Sequence, residues 1–251
     1  MTKPTHTLLL LAAFFLLSAP VANASPSLTG DPVGVCSVRN DVREITDTVR
    51  RSFDVGSGGR LELELDRGNI DVRSGDGSVV RIEVVRRAKV SRDVTAKQVW
   101  DLHDLDISER RGDVSILSSW ESSESGGWMG RSRNRIWDEL NVDVTVFVPR
   151  AFDVTFRTAA GNVAIVGIEG EVGGRSGAGN VVFRDIDGMV DVYTGSGNVE
   201  VDRIDGDVRI NTGAGNVEVG RVLGQVTAKT GAGNVSGYFP RATSAPISLS
   251  T

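Results

Sequence analysis

The chain reads Ser176-Gly-Ala-Gly-Asn-Val181, then Thr194-Gly-Ser-Gly-Asn-Val199, then Thr212-Gly-Ala-Gly-Asn-Val217. These three segments start 18 residues apart, and one further copy of the pattern lies on each side of them. The five asparagines of the pattern are Asn162, Asn180, Asn198, Asn216 and Asn234. A fixed period of this kind marks a repeat architecture, in which each unit buries its apolar side against its neighbours.

Apolar residues alternate within each repeat. After Asn180 come Val181 and Phe183, and after a corner a second alternating run contains Val190 and Val192. Alternation with a period of two indicates strands with one buried face. The sequence therefore predicts an all-β fold, a single-stranded-type β-solenoid with two short strands per 18-residue coil. We expect the five asparagines to form a structural ladder in which stacked side-chain amides hydrogen-bond from coil to coil.

The region before the coils is less regular. Alternating runs begin at Leu61, Arg67 and Val79, and Ser91 is a candidate cap for one short helix. The predicted divisions are a signal peptide (1–24), an N-terminal polar segment (25–52), an irregular β region (53–150) with a helix at about 92–105 and a mobile loop at 119–135, regular solenoid coils (151–239), and a C-terminal tail (240–251). Two prolines in that tail are expected to hinder further strand addition at the last coil.

The first 24 residues have the pattern of a Sec-type secretory signal. Lys3 precedes an apolar run from Leu8 to Leu17, and Ala22-Asn23-Ala24 offers small residues for cleavage. The run is about half the length that a membrane-spanning helix requires, roughly 20 residues. We therefore expect export to the periplasm, the extracellular medium or the cell surface, with no transmembrane segment after cleavage. Cys36 is a lone cysteine and cannot form an intrachain disulfide.

Three features together resemble the bacterial putative adhesin family. They are the alternating stretch from Leu61 to Val72, the Val148-Pro149 step that leads into Phe152-Asp-Val-Thr-Phe156, and the Thr-x-x-Gly-Asn-Val coils. The resemblance covers about residues 53–239. It implies an exported or envelope-associated β-solenoid domain, and it implies attachment as a function only through the family name.

The repeats offer weak support for metal or acid–base chemistry. Each Gly-Asn pair is followed by Val, whereas a calcium-binding nonapeptide repeat needs an aspartate that supplies oxygen ligands. Outward acids such as Glu200, Glu218 and Asp191 could form a glycosidase pair only across a cleft. We expect several of these acids instead to form cross-strand ion pairs, for example Arg184 with Asp202 and Asp191 with Arg209. Glu200 beside Glu218 is the exception, which we expect to be unpaired and which could mark a weak cation site. No cofactor, metal or catalytic residue is predicted.

His103 is the only histidine after the signal segment. Without a second His or a Cys nearby in the sequence it lacks partners for a zinc site, and no nucleophile motif accompanies it. We expect it to lie at the surface of the helix predicted over 92–105.

The segment that contains Trp120, Trp128 and Trp137 interrupts the β pattern. Tryptophans among Ser, Gly and Arg can stack on sugars or enter a membrane interface, and they can equally cap the open end of a solenoid. Trp120 and Trp128 are therefore possible partner-binding residues, whereas a cap is favoured for Trp137 because it adjoins a strand.

These patterns favour a non-enzymatic secreted or envelope-associated scaffold with adhesin-like binding of a protein or polysaccharide of the cell envelope. A net charge of −5 argues against nucleic acid as partner, because nucleic acid is bound through basic surfaces. Two alternatives stay open. One is a carbohydrate-active β-helix enzyme that uses an outward face, and the other is an envelope sensor or regulator that binds through the tryptophan loop.

Overall fold

The computed structural model describes residues 42–56, 58–75, 77–91, 94–120, 140–238 and 246–250. Within these residues the chain forms one short helix and eighteen strands. In chain order they are β1 (Val42–Asp54), β2 (Arg60–Arg67), β3 (Ile70–Ser74), β4 (Val79–Ser91), α1 (Ala96–Trp100), β5 (His103–Arg110), β6 (Asp113–Trp120), β7 (Leu140–Val148), β8 (Asp153–Ala160), β9 (Val163–Val166), β10 (Val172–Ala178), β11 (Val181–Asp187), β12 (Val190–Ser196), β13 (Val199–Asp205), β14 (Val208–Ala214), β15 (Val217–Val219), β16 (Val226–Thr230), β17 (Val235–Gly237) and β18 (Ile247–Ser250).

The strands form two sheets of nine strands each. The first sheet has the order β1-β4-β7-β3-β9-β11-β13-β15-β17, and the second has the order β18-β16-β14-β12-β10-β8-β2-β6-β5. From β8 to β17 each coil adds one strand to each sheet, and strands of successive coils pair in parallel between residues 18 apart, as in Val181 with Val199 and Val190 with Val208. The predicted all-β solenoid with two short strands per coil is confirmed.

The core lies between the two sheets and is built from the alternating columns. In one coil Val199, Val201 and Ile204 are each no more than 1% exposed, and the side chains on either side of Val201 point outward. Inward side chains of both sheets form one continuous hydrophobic cluster. Burial of each Val or Ile stabilises the fold by roughly 1.5–3 kcal/mol before chain entropy is subtracted, so stacked coils hold together through their own apolar columns.

The asparagine corner connects each coil to the next through a side chain and a backbone group. The Oδ1 of Asn180 accepts a hydrogen bond of 3.1 Å from the backbone N–H of Asn198, whose own Oδ1 accepts one of 2.9 Å from Asn216. The same bond joins Asn162 to Asn180 and Asn216 to Asn234. The ladder therefore runs from side-chain oxygen to backbone amide, not from one side-chain amide to another.

Glycine precedes each ladder asparagine because adjacent coils come very close there. Gly197 has φ of +135°, and a Cβ at this position would lie 2.0 Å from the carbonyl oxygen of Gly179 in the coil below. Such a contact would force the two coils apart. The left-handed conformation thus falls on the glycine, whereas the asparagine beside it is not among the residues with positive φ.

The order of the strands in the stack differs from their order in the sequence. Strands β2 and β3 pair in parallel with β8 and β9 on one side and with β6 and β7 on the other. Asn69 joins the ladder at this point, since its Oδ1 accepts from the N–H of Asn162 and its Nδ2 donates to Asp143. The region predicted as irregular therefore contains a coil of the same stack, bracketed by strands that come later in the chain.

The helix is shorter than the predicted 92–105. It begins after Thr95, whose side chain accepts from the backbone of Gln98 while the Gln98 side chain accepts from the backbone of Thr95. This capping box starts the helix at Ala96, so Ser91 is not the cap. Residues 103–105 instead begin β5, which pairs antiparallel with β6 through a two-residue turn at Arg111-Gly112, both with positive φ.

Both ends of the described chain contain strands that the predicted divisions missed. Strand β1 lies partly in the predicted polar segment 25–52 and pairs antiparallel along all of its residues with β4. Strand β18 lies in the predicted tail and pairs in parallel with β16 directly after Pro246, so proline does not prevent strand addition there.

The predicted signal peptide and Cys36 lie outside the described residues. In the described part of the chain, no helix has the length and apolar character needed to cross a membrane.

One core position departs from the repeat. Gly174 occupies the column that Val192 and Ile210 fill in the next coils. A Cβ on Gly174 would lie 2.4 Å from the backbone oxygen of Phe156 and 2.5 Å from its ring. The large Phe156 side chain, which packs 6.2 Å from Phe183 between ring centroids, thus takes the space that the missing side chain leaves.

Substitution of the ladder asparagine tests the corner. We expect Asn198→Ala to lower the free energy of unfolding by about 1 kcal/mol, because the Asn216 N–H loses its acceptor. Asn198→Asp retains an oxygen at that position and should retain most of the stability. Urea denaturation of the three proteins measures the difference, and an alanine variant as stable as the wild type would contradict the role assigned to the side chain.

A double-mutant cycle tests the packing exchange between Phe156 and Gly174. Phe156→Val should destabilise by about 2–4 kcal/mol through the cavity it leaves. Gly174→Val should destabilise by about 1–3 kcal/mol through overpacking. The double variant should lose about 1 kcal/mol less than the sum, since removal of the ring relieves its clash with the new valine, whereas the contact with the Phe156 backbone oxygen remains in both variants. Additive losses in urea denaturation would show that the two positions do not share that space.

Candidate functional site

An open depression of about 640 Å³ lies on the outer face of the second sheet. We call it the Arg-Tyr groove. It crosses strands β2, β8, β10, β12 and β14, so it runs from coil to coil and not along one strand. Its outward lining comprises Glu62, Glu64, Thr155, Arg157, Gly173, Arg175, Asp191, Tyr193, Arg209 and Asn211.

The groove exists because β10 carries a glycine where its neighbours carry outward side chains. Gly173 pairs in register with Thr155 on β8 and with Asp191 on β12. A Cβ on Gly173 would have 3.4 Å to its nearest neighbour, the Asp191 carbonyl oxygen, so the backbone does not require glycine for lack of space. The sheet surface is therefore recessed at this point although a side chain could be accommodated.

A ridge of three outward side chains borders the recess. Arg157, Arg175 and Tyr193 stand in register on β8, β10 and β12. Tyr193 is 51% exposed. On the far side of the ridge a second depression of about 300 Å³ lies over Ala159 and Gly177. The ridge can consequently be approached from both sides.

The two ridge arginines lack an acidic partner within the part of the chain that the structure describes. Among the residues that the structure describes, no carboxylate lies within ion-pairing distance of the guanidinium of Arg157 or Arg175. Glu64 is the register neighbour of Arg157 on β2, yet the two do not form an ion pair. The groove therefore presents two available guanidinium groups in adjacent coils.

Other outward arginines of the coils do have carboxylate partners. Arg209 forms an ion pair of 3.1 Å with Asp191, as the sequence predicts. Arg184 pairs with Glu200 and not with the predicted Asp202, because the diagonal neighbour lies within reach and Asp202 pairs with Arg203. Glu200 is thus part of an ion pair. Such exposed pairs contribute only tenths of a kcal/mol each.

These pairs also account for the pKa shifts on the first sheet. The hydrogen bond and charge of Glu200 raise the pKa of Arg184. The hydrogen bond from Arg203, which lies one coil away, holds the pKa of Asp185 below its usual value. Both effects stabilise the charged forms, so neither group is prepared for proton transfer at neutral pH. Within the described ranges, no three His, Cys, Asp or Glu side chains gather as a metal-ligand set.

A second polar cluster lies inside the fold, near β1 and β5. Arg86 occupies an inward position of β4, and its side chain is only 11% exposed. Its guanidinium forms an ion pair with Asp47 and lies 4.9 Å from the ring centroid of Trp100. The carboxylate and the aromatic face together compensate a cation placed in an otherwise apolar column.

His103 belongs to this cluster, and its predicted position on a surface helix is wrong. The side chain is 5% exposed because β5 turns it inward against β6. Nδ1 lies 3.3 Å from Nη1 of Arg86, and Nε2 lies 2.9 Å from the hydroxyl of Ser118. Since arginine can only donate, Nδ1 accepts and the proton of the neutral ring lies on Nε2, which donates to Ser118. Burial, together with the charge of Arg86, lowers the pKa of His103 to about 4.

The tryptophan segment is largely outside the described residues. Trp128 and Trp137 fall there, and Trp120 is the last residue of β6. The binding role of Trp120 and Trp128 stays a prediction. Sequence reasoning missed the Arg-Tyr groove, although one signal was present: the Gly173-Gly174 pair breaks both an outward column and a core column of the repeat.

The buried His103 predicts a pH dependence of stability. Its pKa is lower in the folded chain than the ordinary value of 6.5, so stability is complete above about pH 6.5 and declines as the pH falls toward 4, where only the unfolded chain takes up the proton. The loss should reach about 3 kcal/mol. His103→Gln, which cannot titrate, serves as the control for the carboxylates that titrate in the same range. Urea denaturation at pH 7 and pH 4 measures the loss for both proteins. If the wild type and His103→Gln lost the same free energy of unfolding between the two pH values, this assignment would be contradicted.

The chain is similar to several solved structures. No family model matches the chain, and no curated protein gives a match. Among solved structures, it is similar to a putative cell adhesion protein from Clostridium sporogenes at 8% identity and a TM-score of 0.36, covering 83% of this chain and 99% of that one. It is also similar to a putative adhesin from Bacteroides fragilis (11%, 0.31, covering 82% and 97%) and to a putative lipid binding protein from Parabacteroides distasonis (11%, 0.28, covering 82% and 97%).

Proposed function

We propose that this chain is a non-enzymatic, exported or envelope-associated scaffold that binds a partner of the cell envelope or surface through the Arg-Tyr groove. One observation carries the proposal: an open recess over Gly173 lies beside the half-exposed Tyr193 and beside Arg157 and Arg175, which form no ion pair with a described carboxylate. Exposed Tyr and Arg are the residue types that contribute most to binding surfaces.

The fold supports binding because it holds the groove in place. The strands that carry the ridge pair on both sides with neighbouring coils, and the corners are tied by the asparagine ladder. Little backbone freedom is then lost when a partner docks. A groove that crosses five strands also suits an extended partner better than a compact small molecule.

The charges of the groove favour binding over hydrolysis. Asp191, the acid nearest the recess, is engaged by Arg209 in an ion pair. A glycosidase needs one carboxyl group with a raised pKa opposite an ionised one. The carbohydrate-active enzyme is therefore the less favoured alternative. Binding through Trp120 and Trp128 remains a separate proposal that the groove neither requires nor opposes.

A groove-filling variant tests the proposal. Gly173→Gln places a side chain in the recess, where the backbone conformation and the available space both accept it. We expect purified protein to co-sediment with envelope fragments, and Gly173→Gln to reduce the bound fraction at least about fivefold, as loss of about 1 kcal/mol implies. The matched control is Thr227→Gln, which lies in the same outward column on β16, beyond the groove.

The outcomes separate the hypotheses. Equal binding by Gly173→Gln and the wild type would place the binding surface elsewhere, and absence of co-sedimentation by the wild type would overturn the scaffold proposal. Release of reducing sugar ends from the fragments would indicate the enzymatic alternative. Circular dichroism of each variant verifies that the β-structure is unchanged.

A further inference from the structure

The placement of Arg157 beside Arg175 is unfavourable for the free protein. The two are direct register partners on adjacent parallel strands, which lie roughly 4.8 Å apart. Like charges directly opposite each other on neighbouring strands destabilise a sheet. Arg184, Arg203 and Arg209, by contrast, each face a carboxylate. The ridge thus concentrates positive charge that the described part of the chain does not neutralise.

Planar guanidinium groups of this kind match carboxylates in a specific way. An arginine can donate two parallel hydrogen bonds to the two oxygens of one carboxylate. Two arginines one coil apart can hold a single acidic group from both sides, or two acidic groups along a polymer. An anionic ligand would relieve the repulsion between Arg157 and Arg175, because its binding would neutralise the charges of the two guanidinium groups.

The next residue along the ridge adds an aromatic surface. Tyr193 follows Arg175 in register, and its ring is half exposed. Gly173 and Gly177 on the adjacent strand carry no side chains, so a ring-shaped ligand can approach the tyrosine from either depression. Aromatic side chains with a polar tip suit ligands that are apolar on one face and hydroxylated at the edge, which is the character of a sugar ring.

The acids and amide at the ends of the groove distinguish among anionic polymers. Glu62 and Glu64 lie at one end and Asn211 at the other. Glu62 and Glu64 would repel an anionic group bound over their end of the groove, which disfavours the continuous phosphate charge of nucleic acid or of an anionic membrane. An acidic polysaccharide fits where its carboxylates lie over Arg157 and Arg175 and its uncharged hydroxyl groups lie over the two glutamates. Sugar hydroxyl groups, in contrast, can donate hydrogen bonds to Glu62 and Glu64 and accept one from Asn211.

We propose that the ligand of the Arg-Tyr groove is a linear acidic polysaccharide that crosses the strands, with its carboxylate groups on Arg157 and Arg175 and a sugar ring on Tyr193. This inference rests on the proposed function, since it names the partner class of the same groove. The polymer lies along the direction in which coils stack, and neighbouring sugar units contact neighbouring coils.

The test uses carboxylate polymers of known composition. Polygalacturonate, alginate and hyaluronate are titrated against the purified protein by isothermal calorimetry, and fully methyl-esterified polygalacturonate is the uncharged control with the same sugar chain. We expect binding to at least one acidic polymer, weakened by added salt because the contacts are ionic and exposed. Its methyl ester should bind at least about tenfold more weakly, as loss of about 1.4 kcal/mol implies.

Matched variants locate the contact. Arg157→Gln and Arg175→Gln should each reduce the affinity about tenfold. Tyr193→Ala should reduce it about fivefold whereas Tyr193→Phe retains it, because stacking needs the ring and not the hydroxyl. Arg221→Gln removes an equal charge from an exposed position outside the groove and should leave the affinity unchanged.

Several results would overturn the inference. They are absence of binding to all three acidic polymers, equal binding of acid and methyl ester, or an equal loss of affinity in Arg175→Gln and Arg221→Gln. Co-sedimentation with envelope fragments distinguishes this failure from failure of the proposed function. If Gly173→Gln still abolishes co-sedimentation while acidic polymers do not bind, the groove stands and the ligand class is wrong.

Discussion

Close approach between the backbones of successive coils is the constraint on which the structure depends. At the Gly-Asn corners the carbonyl oxygen of one glycine occupies the place where a side chain of the next would begin, as for Gly179 and Gly197. The adjoining asparagine then supplies the acceptor for the backbone amide above it. Sterics and hydrogen bonding act on adjacent residues, so the two must appear together in every coil. This contact explains why the Gly-Asn pair recurs in every coil.

Much of the architecture follows from that motif, and the exceptions have physical causes. The period of 18 and the alternating apolar columns predict the coils, their two strands and the side that faces inward. They do not predict that β3 lies between β7 and β9, or that β2 lies between β6 and β8, because pairing partners separated by long connections leave no local periodicity. The sequence places His103 on the helix for a related reason: the helix ends at Trp100 and β5 begins at His103, whose inward position follows from pairing with β6 and not from local periodicity.

The candidate site shows how a core requirement shapes an outer surface. Phe156 needs the space that Gly174 provides, and the neighbouring Gly173 leaves the outer face recessed beside it. A strand with two consecutive glycines departs from the repeat on both faces at once. The sequence pattern draws attention to the regular columns and to the tryptophans. The alignment of Arg157, Arg175 and Tyr193 in one row follows only from the register in which β8, β10 and β12 pair.

The coil formed by β2 and β3 also affects the order in which the parts of the chain fold. Contacts between regular coils join residues 18 apart, whereas the ladder bond between Asn69 and Asn162 closes a loop of 93 residues. Closure of a long loop costs more entropy and slows the step that depends on it. The coils after Asn162 can therefore assemble by local zippering, whereas β2 and β3, though they come earlier in the chain, are enclosed only after β6 to β9 have formed. Until then the inward side chains of Leu61, Leu63, Leu65, Ile70 and Val72 have no coil on either side to cover them, so this segment exposes apolar surface for longer than any regular coil does.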